Sequence, residues 1–463
     1  MKKLAIWALI LCALVPLIAA PNLITYSVGG KITLIRGLAF LSIALITLAV
    51  LFGKQVEQRR AIIHKIATTI KNPLFIAVGL NIIFLVLSTL FAYDSSVALS
   101  GEPFRMEGFI SIFAFATMCF GMVIVFGKKE WNRYLVLTWF VSVVIVGVEM
   151  KQIAQGIGRP DSLLGNPLFL STYYIFSLFV SGLIFQRGRK EGKPLFTYGA
   201  IIAAILFVIG IFFTNTRGTV FALGIGFFAS LIALTIHGKN ILLGNVFGGK
   251  ITSAFGKKTL RFLAGSVLGL VVIFSGVFIA TRTADFWQRI PGFDRLATTS
   301  INEGTAASRI KFTQVSLAGF LKDSDIKTYL VGWGWDNYVY FFQDNYDPQI
   351  YRYEENLADR AHNKLVDVLV MSGFLGLLTY LAIWFFLFKY SFKILKEKLS
   401  LGVLLTFFLV TYFVNNLFAF DAGVTYLALY SIIAFVIFNH LETGNRFEAS
   451  NSHKTNTNHE NSI

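Results

Sequence analysis

The sequence is dominated by apolar runs about as long as the hydrocarbon core of a bilayer is thick, which takes roughly 20 residues of helix to cross. The chain is 55% hydrophobic and 14% charged, whereas soluble domains carry roughly 25% charged residues. These runs predict an all-α, polytopic membrane protein with about twelve transmembrane helices. The twelve runs lie at about 4–20, 35–53, 74–92, 108–126, 134–152, 167–186, 196–214, 219–236, 261–280, 366–388, 401–419 and 423–440.

Basic residues concentrate in alternate loops between these runs. By the positive-inside rule, both termini and the basic loops are predicted to lie in the cytoplasm, with the chain in the cytoplasmic (inner) membrane. The net charge of +16 therefore reflects topology. Nucleic-acid binding is not expected, because the basic loops are short and no binding fold accompanies them. The basic groups are Lys2 and Lys3; Lys54, Arg59, Arg60, Lys65 and Lys71; Lys128, Lys129 and Arg133; Arg187, Arg189, Lys190 and Lys193; Lys239, Lys250, Lys257, Lys258 and Arg261; and Lys389, Lys393, Lys396 and Lys398.

The runs predict one integral membrane domain, residues 1–440, followed by a polar cytoplasmic tail, 441–463, that is expected to be disordered. A long outer segment, 281–365, lies between the ninth and tenth spans, and its aromatic residues predict short helices over the membrane face. The residues between the seventh and eighth spans, 215–218, predict a tight helical hairpin. A single long helix is the rival interpretation at that point.

Features of other protein classes are weak in this chain. The first apolar run also fits a signal peptide, but Ile18-Ala19-Ala20 followed by Pro21 makes a poor cleavage site. Cys12 and Cys119 both fall in apolar runs and provide no disulfide or zinc spacing. The triplet 323–325 has the pattern Asp-x-Asp, which fits a solvated loop better than a metal site. We therefore predict no metal and no cofactor.

His362 is the only one of the six histidines predicted to face the outside of the cell. It lies at the junction between the long outer segment and the tenth span. An imidazole beside outward-facing arginines is a candidate general base next to an anion site. A helix cap or a hydrogen-bonded boundary residue is the alternative.

Arginines and asparagines on the same side complete the candidate site. The planar guanidinium of arginine binds phosphate in two places at once and stabilises negative charge that develops as a bond breaks. The alternatives are lipid-facing anchors for the arginines and a helix start for Asn166, which precedes Pro167. Gly373 and Gly376 fit close helix packing. The candidates are Arg105, Arg159, Arg217, Arg309, Asn166 and Asn363.

Several strings resemble one bacterial family. His362-Asn363, followed after nine residues by Gly373-x-x-Gly376, resembles the signature of O-antigen ligases and O-antigen polymerases. Thr216-Arg217-Gly218 is similar to the Ser-Arg-Gly turn of that family, with Thr in place of Ser. Two strings that match weaker family features are Arg105-x-x-Gly108 and Gly165-Asn166-Pro167. The resemblance covers roughly residues 100–440.

The resemblance implies a metal-independent glycosyltransferase on the outer face of the membrane. Its donor would be a glycan on undecaprenyl pyrophosphate, and its acceptor a glycan, lipid or protein hydroxyl. By matching positions, the catalytic residues would be His362 as the base, with Arg217 and Arg309 on the pyrophosphate. The predicted substrate-binding residues are Arg105, Arg159, Asn166 and Asn363.

Three questions stay open from the sequence. Ligase, polymerase and protein-glycosylating activities are not distinguished. A major-facilitator transporter has a similar number of spans, although its long loop usually lies at the centre of the chain on the cytoplasmic side. An inactive or scaffolding relative is the third possibility, and the intact His362, Arg217 and Arg309 argue against it.

Overall fold

The computed structural model describes residues 1–19, 28–237, 257–289, 304–323, 325–352 and 358–460. Within these ranges the chain forms α-helices and short 3-10 segments and no strand, which confirms the predicted all-α class. The signal-peptide junction at Ala20-Pro21, the basic residues Lys239 and Lys250, and Ser324 lie outside the described residues.

In chain order, the helices are α1 (Lys2–Leu11), α2 (Gly29–Phe52), α3 (Val56–Thr69), α4 (Pro73–Leu90), α5 (Ser95–Ser100), α6 (Phe109–Val125), α7 (Lys128–Ala154), α8 (Pro167–Glu191), α9 (Pro194–Phe213), α10 (Arg217–His237), α11 (Lys257–Thr281), α12 (Asp285–Gln288), α13 (Gly304–Asp323), α14 (Ile326–Val331), α15 (Tyr338–Asp344), α16 (Lys364–Glu397), α17 (Leu399–Asn415) and α18 (Gly423–Glu460). The 3-10 segments are Cys12–Leu17 and Pro348–Arg352.

Each predicted span lies on a helix, but the number of spans is not confirmed. Among the described residues, eight helices are long and apolar enough to cross a membrane: α2, α4, α7, α8, α9, α10, α16 and α18 up to Glu442. Helices α6 and α17 are apolar but have 17 residues each. Helix α1 ends after ten residues and continues as a 3-10 segment that contains Pro16. The predicted division between domain and tail at residue 441 stays a prediction.

Asparagine side chains cap the starts of three membrane helices, and proline follows two of these asparagines. Asn72 begins α4 by accepting hydrogen bonds from the backbone of Leu74 and Phe75, and Pro73 follows it. Asn166 with Pro167 begins α8, and Asn363 begins α16, in the same way. A side-chain oxygen at this position satisfies amide groups that the helix itself leaves without acceptors.

The helices differ in how far the protein covers them. The apolar windows of α8 and α18 are 78% and 89% buried, whereas those of α9 and α10 are each 33% buried. Helices α8 and α18 therefore form the centre of the bundle. Ile201, Ile202, Ile205 and Ile209 of α9 are exposed, as expected of side chains that face lipid rather than protein.

The predicted break between α9 and α10 is present, because α9 ends at Phe213 and α10 begins at Arg217. The two helices are joined by this turn but pack little against each other. Helix α9 packs mainly against α8, and α10 packs mainly against α17. Close contacts at two glycines account for these packing partners. Gly210 of α9 lies against Tyr174 of α8, and Gly226 of α10 lies against Thr411 of α17, and neither position has room for a Cβ atom.

The outer segment is helical in its described part, as predicted; α12, α14 and α15 are short, whereas α13 has 20 residues. Its Trp333 and Gly334 donate backbone hydrogen bonds to the carbonyls of Val370 and Met371 in α16, at 2.9 and 3.0 Å. These carbonyls are available because α16 is interrupted at Gly373, where φ is +66°. Gly373 is thus a helix break that docks the outer segment, in addition to the close packing expected from the sequence.

Candidate functional site

His362 is held in a tight turn immediately before α16. Its φ is +55°, in the left-handed region that few side chains adopt. Asp367 fixes this turn, because its Oδ1 accepts a 2.6 Å hydrogen bond from the backbone N–H of Ala361. The imidazole lies between the rings of Phe312 and Phe420, with centroids 6.1 and 5.0 Å away. The aromatic rings orient the imidazole and limit its contact with water.

The environment of His362 favours the neutral imidazole. Its side chain is partly exposed, and its Nδ1 atom has no hydrogen-bond partner within the part of the chain that the structure describes. Burial, followed by the positive charge of Arg309, lowers the pKa of His362 well below its ordinary value of 6.5. A neutral imidazole at pH 7 is able to accept a proton.

Arg309 lies near His362, and two more of the predicted arginines lie near Arg309. Arg309 is the charged residue with the largest electrostatic effect on the imidazole. Burial, with the nearby charges of Arg159 and Arg217, lowers the pKa of Arg309 to about 10, so its guanidinium stays charged at pH 7. Arg217 is the first residue of α10, where the helix dipole also favours anions. The region is therefore strongly cationic.

A hydrogen bond joins the two loops that carry Arg159 and Arg217. Asn215, in the turn before α10, donates from Nδ2 to the carbonyl of Gly158 at 3.3 Å. The side chain of Arg159 is exposed. The two loops are distant in sequence, and this bond places their arginines on one side of the molecule.

Arg105 also lies near His362 but is held by another residue. Its Nε atom is 2.5 Å from Oδ2 of Asp359, and its guanidinium lies 4.5 Å from the ring centroid of Phe420. Phe420 contacts His362 as well. In this structure Arg105 therefore anchors the segment that precedes His362, and its predicted contact with substrate stays a prediction.

Asn166 and Asn363 are helix caps. Oδ1 of Asn166 accepts a 2.8 Å hydrogen bond from the backbone of Leu168, and Oδ1 of Asn363 accepts a 3.1 Å bond from the backbone of Leu365. The alternative of a helix start for Asn166 agrees with this geometry. Asn363 fixes the start of α16, next to His362. The substrate contacts predicted for Asn166 and Asn363 stay predictions.

Sequence reasoning missed a buried ionic cluster near His362. Arg360 is 5% exposed and forms ion pairs with Asp336 and with Glu107, the latter at 3.5 Å. Burial raises the pKa of Glu107 to about 7. The signal in the sequence was the dense run of charges around His362, since a charge at a membrane boundary needs a partner.

A second missed pair lies at the start of α16. Lys364 donates from Nζ to the hydroxyl of Tyr426 at 2.5 Å and lies 3.4 Å from Oδ2 of Asp421. A cavity beside this pair is also lined by Trp335, Tyr380 and other residues. Its volume of about 30 Å³ is enough for one or two waters but not for a lipid chain.

The Asp-x-Asp triplet has a structural role at its second aspartate. Asp325 caps α14 by accepting a 2.7 Å hydrogen bond from the backbone of Thr328. Across the described ranges, no group of three or more His, Cys, Asp or Glu side chains is arranged to hold a metal ion.

Comparison with protein families agrees with this geometry. The family profile described as O-antigen ligase matches residues 202–381. The chain carries an O-antigen ligase domain. The match begins within α9 and ends within α16, so the O-antigen ligase domain includes Arg217, Arg309 and His362. No curated protein matches the chain.

This match confirms the predicted resemblance to the O-antigen ligase and polymerase family. Together with the apolar helices, it identifies a multi-pass membrane protein with an O-antigen ligase-like role in processing membrane-linked glycans. Arg105, Arg159 and Asn166 lie before the matched residues; Arg105 contacts Asp359, and the loop of Arg159 is bonded to Asn215, both within the match.

Proposed function

We propose that this protein is a glycosyltransferase that moves or polymerises a glycan from an undecaprenyl-pyrophosphate donor onto an acceptor hydroxyl. The observation that carries the proposal is the position of His362 beside Arg309, which in turn lies beside Arg159 and Arg217. A neutral base next to a cationic cluster matches a reaction that removes a proton and releases a pyrophosphate.

In the proposed step, the acceptor oxygen forms a bond to the anomeric carbon of the donor. The bond from that carbon to the pyrophosphate oxygen breaks, and its electron pair leaves with undecaprenyl pyrophosphate. The acceptor proton passes to the imidazole of His362. Attack opposite the leaving group inverts the anomeric configuration. Arg217 and Arg309 stabilise the negative charge that grows on the leaving pyrophosphate.

The electrostatics support this division of roles. Without donor, the charge of Arg309 contributes to the low pKa of His362. A bound pyrophosphate would offset the arginine charges and so make the imidazole more basic while the acceptor is present. Because arginines supply the positive charge in this scheme, the transfer as proposed needs no metal ion.

We place this reaction on the outer face of the cytoplasmic membrane, with both termini in the cytoplasm. The support is the alternation of basic loops, which assigns the turn before α10 and the start of α16 to the same outer side. A lipid-linked donor would reach such a site from the outer leaflet.

The test is transfer by the purified protein in detergent, with undecaprenyl-pyrophosphate glycan, candidate acceptors and a chelator. We expect wild type to transfer glycan and His362→Ala to lose transfer while still binding donor. His440→Ala is the matched control, because His440 is stacked on Tyr390, 3.9 Å away between ring centroids, far along α18 from the site. A ladder of product sizes would indicate a polymerase, and a single addition would indicate a ligase.

Two results would contradict the proposal. Near wild-type transfer by His362→Ala would exclude His362 as the base. Movement of unmodified donor across a proteoliposome membrane, without any transfer, would favour the transporter alternative.

A further inference from the structure

A chain of buried hydrogen bonds connects the start of α10 with the start of α16. Thr219 is two residues after Arg217, and Lys364 is two residues after His362. The side chains of the connecting residues are almost completely buried: Thr219 and Asn415 are 0% exposed, Asn416 is 2% exposed and Asp421 is 1% exposed. The connection therefore lies inside the helix bundle, beneath the candidate site.

The first part of this connection depends on Asn415, the last residue of α17. Its Oδ1 accepts a 2.7 Å hydrogen bond from Thr219 Oγ1 in α10, and its Nδ2 donates a 3.0 Å bond to Thr172 Oγ1 in α8. Thr219 Oγ1 also lies 2.9 Å from Ser171 Oγ in α8. One asparagine side chain thus joins three helices with both ends of its amide.

The second part continues through the next residue. The backbone carbonyl of Asn416 accepts a 2.8 Å hydrogen bond from the backbone N–H of Lys364. The side-chain Nδ2 of Asn416 donates a 3.1 Å hydrogen bond to Asp421 Oδ1. Asp421 is paired with Lys364. Tyr412 supports Asp421 with a 2.5 Å hydrogen bond from its hydroxyl. The end of α17 therefore holds the starts of α10 and α16 at once.

Packing alone does not account for these polar groups. Polar side chains are expensive within the membrane and usually mark functional positions, and glycine contacts such as Gly226 against Thr411 already bring α10 and α17 together. Apolar packing tolerates small shifts, whereas a satisfied hydrogen-bond network specifies one arrangement of the helices.

We propose that Asn415 is a positioning residue that fixes the distance between Arg217 and His362, and hence between the donor pyrophosphate and the base. The inference rests on the proposed function. Thr219, Thr172 and Asn416 transmit this constraint. None of these residues touches substrate in the scheme above.

The test compares Thr219→Val, which removes the hydroxyl and keeps the shape, with Thr219→Ser, which keeps the hydroxyl. We expect the Val variant to lose about 10- to 100-fold in kcat, because displacements near 1 Å reduce turnover on this scale. The KM for donor should change by less than about twofold, and the Ser variant should match wild type. Thr411→Val is the control, because among the described residues the Thr411 hydroxyl donates its hydrogen bond to the carbonyl of Phe407 in its own helix.

A second readout does not depend on activity. The distance between α10 and α16 can be measured by pulsed electron paramagnetic resonance. The nitroxide labels are attached at Phe221→Cys on α10 and Phe374→Cys on α16, which are both exposed positions. The native cysteines are buried. We expect a narrow distance distribution in wild type, Thr219→Ser and Thr411→Val, and a broadened or shifted one in Thr219→Val.

The outcomes separate the two proposals. If wild type transfers glycan but Thr219→Val has wild-type kcat, Asn415 is not a positioning residue and the inference is overturned. If wild type transfers nothing, the proposed function fails, and an unchanged label distance in Thr219→Val overturns the structural part of the inference as well. If Thr219→Val does not fold, Thr172→Val removes the other partner of Asn415, with the same expectations.

Discussion

Two groups of arginines lie near His362, and their surroundings differ. In the first group, Arg105 and Arg360 are paired with carboxylates of the protein itself, among them Asp359 and Asp336. In the second group, Arg309 lies beside two further arginines, and burial together with their positive charges lowers its pKa. The first group is neutralised within the fold, whereas the second is a concentration of like charge. The comparison shows that proximity to His362 does not by itself indicate contact with substrate.

Removal of a paired arginine should produce the largest effect on folding. Arg360→Ala leaves Asp336 and Glu107 buried without their cation, and we expect a loss of about 3–5 kcal/mol in the free energy of unfolding. Arg309→Ala removes like-charge repulsion and should cost less than about 1 kcal/mol. Unfolding in mixed detergent, followed by circular dichroism, measures both. Equal destabilisation would contradict the contrast between the two groups.

Removal of an arginine from the like-charged group should instead affect catalysis. We expect Arg217→Ala to reduce transfer about 100- to 1,000-fold, as for other groups that stabilise a developing anion. Arg217→Lys should recover little, because the ammonium group cannot bind phosphate at two points. The measurement is kcat/KM for donor with purified variants. Full activity in the Lys variant would argue against a two-point contact.

The pH dependence of transfer tests the charge state of His362. Because its folded-state pKa is lowered below 6.5, the base stays neutral as the pH falls to 6.5 and is protonated only below that value. We expect the acid limb of the pH profile of kcat/KM to lie below pH 6.5. The acid limb of the kcat profile should lie at a higher pH, since bound pyrophosphate raises the pKa of His362. A limb of kcat/KM centred above pH 6.5 would show that the empty site does not hold a neutral imidazole.

The smallest effect is expected from Arg105→Lys. Lysine keeps a positive charge opposite the partly exposed Asp359, so we expect stability to change by less than about 1 kcal/mol and kcat to stay within about threefold. The same substitution at Arg217 is expected to be severe, and a side-by-side assay of the two variants makes the comparison direct. A severe loss in Arg105→Lys would move Arg105 into the group that binds donor.

The sequence was sufficient for features that depend on local pattern. Apolar runs located the helices, Asn166 followed by Pro167 indicated the start of α8, and the residues around Arg217 located the break before α10. The number of membrane-crossing helices was not predictable from apolar runs alone. The run at 108–126, for example, forms a helix of only 17 residues, α6. The separation of α9 from α10 depends on glycines at 210 and 226 that meet partners distant in sequence.

The candidate site was predictable only in part, for a similar reason. The grouping of His362 with outer arginines followed from topology, since alternate loops share one face. The pairing of Arg360 with Asp336, and the connection from Thr219 through Asn415 to Lys364, join residues far apart in the chain. Hydropathy patterns carry no information on which buried polar groups meet, so these contacts were missed.

The break of α16 at Gly373 also fixes the rotation of the helical turns that precede it. The helical turns between Asn363 and Gly373 connect His362 to the point where Trp333 and Gly334 are bound. An α-helix turns by about 100° and rises about 1.5 Å per residue. One residue inserted between Asn363 and Gly373 would therefore rotate the imidazole by more than a quarter turn, away from Arg309. The spacing of nine residues thus sets the direction in which His362 points.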